Sequence, residues 1–454
     1  MSKTEEPKVV RRFGKTIPWL AEAVKTAEVA ADLNMSEIQT TEGSTNRCTI
    51  CKGGKMLCGK RNCPLINRIR SYLKIKPLYD RDTLEGASPP GVFVGRIGYP
   101  HVYAGPLVPP EQGDTSHLDV PEDWFGKSFN EIVDMRFKLV RGKYRVNVKK
   151  LGQGGRILDH TRLLGIADRS VDIDLSFKAK PNSTFTLNAD VQPMGPSAMI
   201  KKIQVNGNVK AEKHLEKAYY DTDLKAADAV SNLYKNNVRV SAIQRAFSVG
   251  SFGLKGNRKL VPTRWSITAV DSMLSKERIQ DIKQYPAINE FRVYESNYLD
   301  NCFQIVMLPE RWKYETMEAW YPGTIWNPFD QNINIFGDWE DYRGRTTYAK
   351  IGGCYYAARL AVNELLMKER RQACVIILRE IRPGYIMPVG VWNVRENVRH
   401  ALKQAPVKFN TFNEVLVHIK GKLHIPLDTW IQNSRFLTDT LKQKKITDFF
   451  KMNN

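Results

Sequence analysis

The sequence is short of the features that would place it outside the cell or in a membrane. Its longest apolar runs, such as Ala373 to Leu378, are far too short to cross a bilayer as a helix. The opening stretch MSKTEEPKVVRRFGK has no apolar core of the kind a secretory signal needs. Only seven cysteines occur in 454 residues, an odd number, which argues against a disulfide framework. The seven histidines are scattered, and neither H-x-x-x-H nor H-E-x-x-H is present. Gly152-Gln-Gly-Gly-Arg156 lacks the lysine and the hydroxyl residue of a phosphate-cradling P-loop. Acidic residues are also in deficit, with 48 Asp and Glu against 69 Lys and Arg, a net charge of +21. These absences predict a soluble, cytoplasmic protein without a membrane partner. The charge excess points to an anionic partner: nucleic acid, a ribosomal surface or an anionic membrane face.

What is present begins with the cysteines. Cys48, Cys51, Cys58 and Cys63 have the spacing C-x2-C-x6-C-x4-C. A tight C-x2-C turn delivers two thiolates, and Gly53 and Gly54 let the chain bend away before the second pair. Four thiolates close a tetrahedral site, so the expected cofactor is one structural Zn2+ rather than an open catalytic metal. Such a site contributes about 10–16 kcal/mol to folding a segment with few apolar residues. It would also fix the helix that follows, whose Arg68, Arg70 and Lys74 fall largely opposite an apolar face of Leu65, Ile66, Ile69 and Leu73. That face is a candidate phosphate contact or a plain solvated one. The other cysteines, Cys302, Cys354 and Cys374, lie in apolar segments and read as core.

Along the rest of the chain, helical and strand-like periods are interspersed. A helix is expected from Pro18. Residues 77–125 read as a long Gly- and Pro-rich region with short strands. Phe137 to Lys150 reads as a hairpin turning at Arg141-Gly142-Lys143, and VDIDLSFKA, TFTLNADV and KKIQVNG read as strands. A helical stretch covers about Leu224 to Phe247. Late in the chain the pattern predicts a helix from Tyr355 to Arg370, a buried strand from Cys374 to Ile381, and helices over Val391 to Leu402, 411–422 and 427–441. The fold class is therefore α+β: a mixed body with helices at both ends, an N-terminal zinc module and a flexible C-terminal peptide. The expected organisation is 1–45 tail and helix, 46–76 zinc module with basic helix, 77–440 body with room for two subdomains, and 441–454 tail.

The tail, KQKKITDFFKMNN, ends in an apolar plug. Gln443, Ile446, Phe449 and Phe450 fit Q-x-x-[ILM]-x-x-[FY]-[FY], the PIP peptide that docks on the sliding clamp PCNA. One tight helical turn gathers the isoleucine and both phenylalanines on one side, and the lysines around them suit an acidic partner surface. The alternative is that Phe449 and Phe450 pack against the parent fold.

The four-cysteine cluster, GVFVGRIGYPHVYAGP, RKLVPTRWSITAVD, GGCYYAARLAVNELL, RRQACVIILREI, GVWNVRENVR and the terminal motif together resemble the archaeal Nre family of DNA repair proteins. The resemblance runs from about residue 45 to 450. It implies a role in DNA damage repair with clamp interaction through the tail. It carries over the zinc cysteines and the clamp motif but no catalytic residue, so enzyme activity stays open. The acidic run Asp338, Glu340, Asp341 is a candidate metal-ion holder for phosphodiester hydrolysis, against the alternative of an ordinary loop. His101 is the one histidine in a signature stretch. Arg96, Arg264, Lys350, Arg379 and Arg395 are candidate nucleic-acid contacts. The last two could instead be buried salt bridges with nearby Glu380 and Glu396. The expected function is a clamp-recruited, DNA-binding repair protein associated with the nucleoid. The alternatives are a repair enzyme such as a metal-dependent nuclease, or an RNA- or ribosome-associated zinc protein.

Overall fold

The computed structural model describes residues 71, 77, 80–182, 194–324, 326–327 and 331–442. The four cysteines of the expected zinc module, the basic face of Arg68, Arg70 and Lys74, the strand-like TFTLNADV and the clamp motif lie outside these residues. Within them the chain is α+β, built on two six-stranded mixed sheets. No helix among them is long and apolar enough to cross a membrane.

The first sheet contains β1 (Thr83–Ser88), β2 (Val92–Val94), β3 (His101–Val108), β4 (Val140–Asn147), β5 (Val171–Phe177) and β6 (Ser197–Val205). Their spatial order is β1-β5-β6-β4-β3-β2. Only the β4–β6 pair is parallel. Residues 77–125 thus hold more regular structure than their glycines and prolines suggest. The alternation in β3 and β4 is that of a sheet with one face packed. Val102, Ala104, Tyr144 and Val146 point inward to a core that includes Leu158 and Leu164 of α2 (Gly155–Gly165). His101, Tyr103 and Arg145 take the other face.

The expected hairpin at Arg141-Gly142-Lys143 does not form. β4 runs straight through it. Gly142 is needed for close approach, not for a turn. A Cβ there would lie 2.8 Å from the Ile200 side chain on β6, and one on neighbouring Gly105 would lie 1.8 Å from the Gly142 carbonyl oxygen.

A helical layer follows: α3 (Lys213–Tyr220), α4 (Ala226–Lys235), α5 (Val240–Ser248) and the long α6 (Thr263–Ile282). The expected helix over 224–247 is broken in two at Asn237, which adopts a left-handed φ of 61°. Leu215, Val230, Ile243 and Val270 hold the layer together and reach Leu360 of α7 (Gly353–Glu369).

The second sheet has β7 (Phe291–Tyr298), β8 (Asn301–Leu308), β9 (Lys313–Trp320), β10 (Asn334–Glu340), β11 (Cys374–Ile381) and β12 (Val407–Phe409), ordered β10-β9-β11-β8-β7-β12. β8 and β11 are buried at every position, as expected for strands covered on both faces. One face packs on α7 and α8 (Trp392–Lys403). The other packs on α9 (Phe412–Lys420), α10 (Leu427–Asn433) and α11 (Arg435–Lys442). The expected final helix breaks at Ser434 because Glu315 of β9 caps a new start. Its carboxylate accepts from the Ser434 hydroxyl (2.6 Å) and the Arg435 (2.8 Å) and Phe436 (3.1 Å) N–H groups.

The halves meet through α1 (Phe129–Lys138), which opens on a Ser128–Glu131 capping box. Ile132 and Met135 of α1 pack with Trp124, Trp320, Tyr385 and Trp392.

Candidate nucleic-acid interface

The helices α6, α7 and α8 run parallel, side by side. A Cβ on Gly353 would lie 2.9 Å from Val391 and 3.3 Å from Thr268 Oγ1. Further along, Arg359 Nε donates to Ser275 Oγ at 3.1 Å, and Arg399 pairs with Glu364 at 2.6 Å. Their positive N-terminal ends therefore open in the same direction. None of the three carries an acidic residue in its first turn or a side-chain cap. Gly352, at a φ of 63°, supplies the turn into α7.

The rim of this end is basic and aromatic. Arg264 and Trp265 sit exposed in the first turn of α6, and Tyr348 and Lys350 are exposed just before α7. The Trp265 ring meets Tyr99 with centroids 5.4 Å apart. Tyr99 belongs to the β2–β3 loop, whose Arg96 and Ile97 are also exposed. The Val94 N–H donates to Thr263 Oγ1 at 2.8 Å and holds that loop against α6. Arg96, Arg264 and Lys350, far apart in sequence, thus lie on neighbouring elements.

The outer face of β4 adds a basic row that the sequence reading passed over as a turn. Arg141, Lys143 and Arg145 alternate along it. Lys143 Nζ lies 5.6 Å from the ring centre of Tyr103, and Arg145 is directly opposite Tyr103 in register. The Arg141 guanidinium lies 5.8 Å from the Phe93 ring and donates only to the Gly195 carbonyl and the Met194 sulfur, both at 3.4 Å. None of the three has a carboxylate partner among the described residues. Burial, with the nearby Arg136 charge, lowers the Arg141 pKa to about 10. Burial and then the Arg141 charge lower that of Lys143.

Arg379 and Arg395, also expected as nucleic-acid contacts, are inside the protein. Arg379 pairs with Glu318 at 2.5 Å and donates twice to Asn301 Oδ1, at 2.9 and 2.6 Å. Arg395 pairs with Asp271 at 2.7 Å, with Glu396 farther off at 3.6 Å. Burial raises the Asp271 pKa against the pull of Arg395. Cys354 Sγ is 3.8 Å from Arg379, and burial pushes its thiol up. Cys302 and Cys374 are buried as expected, whereas Cys354 is half-buried at the start of α7.

The acidic run does not converge. Asp338 pairs with Arg345 at 2.8 Å, Glu340 turns inward to Arg359 at 2.5 Å, and Asp341 caps the Arg343 N–H at 2.8 Å. Among the described residues no group of three or more His, Cys, Asp or Glu side chains could hold a metal ion. His101 is exposed at the start of β3, with Nε2 3.2 Å from Asn147 Nδ2.

Fold and surface together define an α+β protein whose exposed face carries uncompensated cations beside aromatic rings. Residues 57–327 match the family described as archaeal Nre, N-terminal, and residues 340–449 match archaeal Nre, C-terminal. The chain belongs to the archaeal Nre family. It is 40% identical over 403 residues to the DNA repair protein NreB of Archaeoglobus fulgidus, covering 88% of this chain and 99% of that protein. It is 36% identical over 404 residues to DNA repair protein NreA of the same organism, covering 89% and 98%. It is 33% identical over 356 residues to DNA repair protein NreA of Haloferax volcanii, covering 76% and 84%. No solved structure matches the chain.

Proposed function

We propose that this protein is an intracellular DNA repair factor that binds DNA and is brought to the sliding clamp PCNA by its tail. The observation that carries the reading is similarity along nearly the whole chain to proteins named for DNA repair. The basic rim and the β4 row support it physically. Cations without carboxylate partners can neutralise phosphates and release counterions, without first breaking an internal ion pair. Arg96, Arg264 and Lys350 would make such contacts, joined by Arg68, Arg70 and Lys74 of the zinc module. Cys48, Cys51, Cys58 and Cys63 would hold the ion in a closed tetrathiolate, and Gln443, Ile446, Phe449 and Phe450 would dock on the clamp. No catalytic step is part of the proposal.

The test uses the full chain. DNA affinity is titrated at several salt concentrations, and clamp affinity is titrated with and without residues 443–454. A steep loss of DNA binding with salt is expected, and charge reversal at Arg68, Arg70 and Lys74 should weaken binding similarly across sequences. Flat salt dependence, or clamp binding indifferent to the tail, would overturn the corresponding half of the proposal.

A further inference from the structure

We infer that the outer face of β3 and β4, continued by the Tyr99–Trp265 pair, is a platform for single-stranded DNA. The inference rests on the reading of the protein as a DNA-binding factor and specifies the form of DNA it takes.

The argument starts from the rings. Tyr103, Tyr99 and Trp265 are 45%, 43% and 46% exposed. A duplex keeps its base faces inside the stack and offers mainly phosphates and groove edges, so exposed rings gain little from it. A single strand offers base faces, and each can stack on an aromatic side chain whatever its sequence. The platform has both parts that this mode requires, exposed rings and unpaired cations, and a cation stands directly beside the Tyr103 ring. Lys143 Nζ is 5.6 Å from the Tyr103 ring centre, with Arg145 opposite Tyr103 in the strand register. Arg264 directly precedes Trp265.

Charge complementarity selects the partner. Lys143 and Arg145 have no carboxylate partner among the described residues. Lys143 is half-buried and lies close enough to Arg141 for the two like charges to disfavour each other. A phosphate on this face relieves that repulsion, whereas a neutral or basic partner does not. The face is part of a sheet whose other side is packed core, so Tyr103 is held on a rigid support, and Trp265 stands on the first turn of α6. Stacking on a fixed surface loses less entropy than stacking on a loop.

The experiment is fluorescence anisotropy of the full chain with labelled oligo-dT, a duplex of equal length and oligo-rU. Wild-type protein should bind oligo-dT tighter than the other two. Tyr103→Ala and Trp265→Ala should each weaken oligo-dT binding about tenfold, with unchanged melting temperatures because both rings stand at the surface. Tyr103→Leu, which keeps an apolar side chain on the strand, should lose as much as Tyr103→Ala. Lys143→Gln with Arg145→Gln should make the slope of log affinity against log salt shallower by about one to two. If the folded Tyr103 and Trp265 variants bind oligo-dT within about twofold of wild type, the platform is refuted. The DNA-binding reading survives that result if the wild type still binds either DNA form steeply with salt. Preference for duplex, or for oligo-rU, also overturns the platform, and wild-type failure on both DNA forms overturns both readings.

Discussion

Replacing Glu340 by Leu should destabilise the protein by about 3–5 kcal/mol, the usual result of removing one partner from a buried ion pair. Glu340 ends β10 with its carboxylate 1% exposed, 2.5 Å from Arg359, which is equally buried. The same carboxylate accepts from the Tyr355 hydroxyl at 3.1 Å and Trp312 Nε1 at 3.3 Å. Arg359 has little to fall back on. Its Nε donates to Ser275, its Nη2 already lacks a hydrogen-bond partner, and its remaining neighbours are the rings of Tyr355 and Tyr356 at 5.4 and 5.3 Å. Without Glu340 a buried guanidinium would stand uncompensated. Removing both charges, as in Glu340→Leu with Arg359→Met, should recover most of the loss, because two well-packed apolar side chains need no desolvated partner. Urea unfolding of the single and double variants measures this. A single variant that unfolds at the wild-type urea concentration would refute the ion-pair reasoning. Unchanged stability together with loss of a metal-dependent DNA cleavage would make Glu340 a metal ligand instead.

Metal analysis of the purified protein should find about one zinc per chain, lost when Cys48 and Cys51 are replaced by Ser; full retention would end the tetrathiolate proposal. Phe449→Ala with Phe450→Ala should abolish clamp binding of about micromolar affinity and leave the melting temperature unchanged, since burial of those rings would occur only on the partner. A large fall in melting temperature would instead place the rings in the core of this protein. Asp338→Asn should destabilise at neutral pH by about 1–2 kcal/mol, because the carboxylate accepts charge-assisted hydrogen bonds. Burial acts to raise the Asp338 pKa, but the bonds from Arg345 and from the Lys350 and Trp339 N–H groups outweigh it and hold it below the ordinary 3.8. The unfolded chain therefore takes up a proton first as pH falls, so the stabilisation that Asp338 contributes is complete above about 3.8 and is lost as pH falls through its lower folded value, where the difference between the proteins shrinks. Paired melts at neutral and acid pH check the sign; a difference that grows with acid would refute it.

The elements that could be read from the sequence were those with a local cause. β11 occupies Cys374–Ile381 as expected, because a continuous apolar run between polar flanks has few other destinations. α7 and α8 begin and end within about two residues of the periodicity. The failures have non-local causes. Gly142 between two cations looks like a turn, and only the approach of Ile200 and Gly105 shows why a strand needs glycine there. Arg379 and Arg395 read from sequence as nucleic-acid contacts or as partners of the carboxylates next to them. Their nearest carboxylates lie 61 and 124 residues away, with the adjacent Glu396 a more distant partner of Arg395 at 3.6 Å. The strand period explains Arg379: adjacent side chains point to opposite faces. Glu380 accordingly turns away to accept from the His424 and Ile425 N–H groups at 2.9 and 2.8 Å.

The same sorting tells which charges are free to act on a partner. An arginine closed on a buried carboxylate contributes no net field, so Arg359, Arg379 and Arg395 are neutral as seen from outside. Part of the surplus of +21 is then carried by cations such as Lys143, Arg145, Arg96 and Arg264, which the described acids do not meet. On the way into the β4 row the pairing stops at one place: Arg136 of α1 is matched by Asp119 at 2.6 Å, and Arg141 beyond it is not. An uncompensated row costs stability through self-repulsion unless a partner supplies the missing negative charge. Its removal should therefore weaken DNA binding without lowering the urea midpoint, whereas loss of Glu340 should lower the midpoint without changing affinity per folded molecule. On the proposed reading, stability and recognition rest on different arginines and lysines, so each should change without the other.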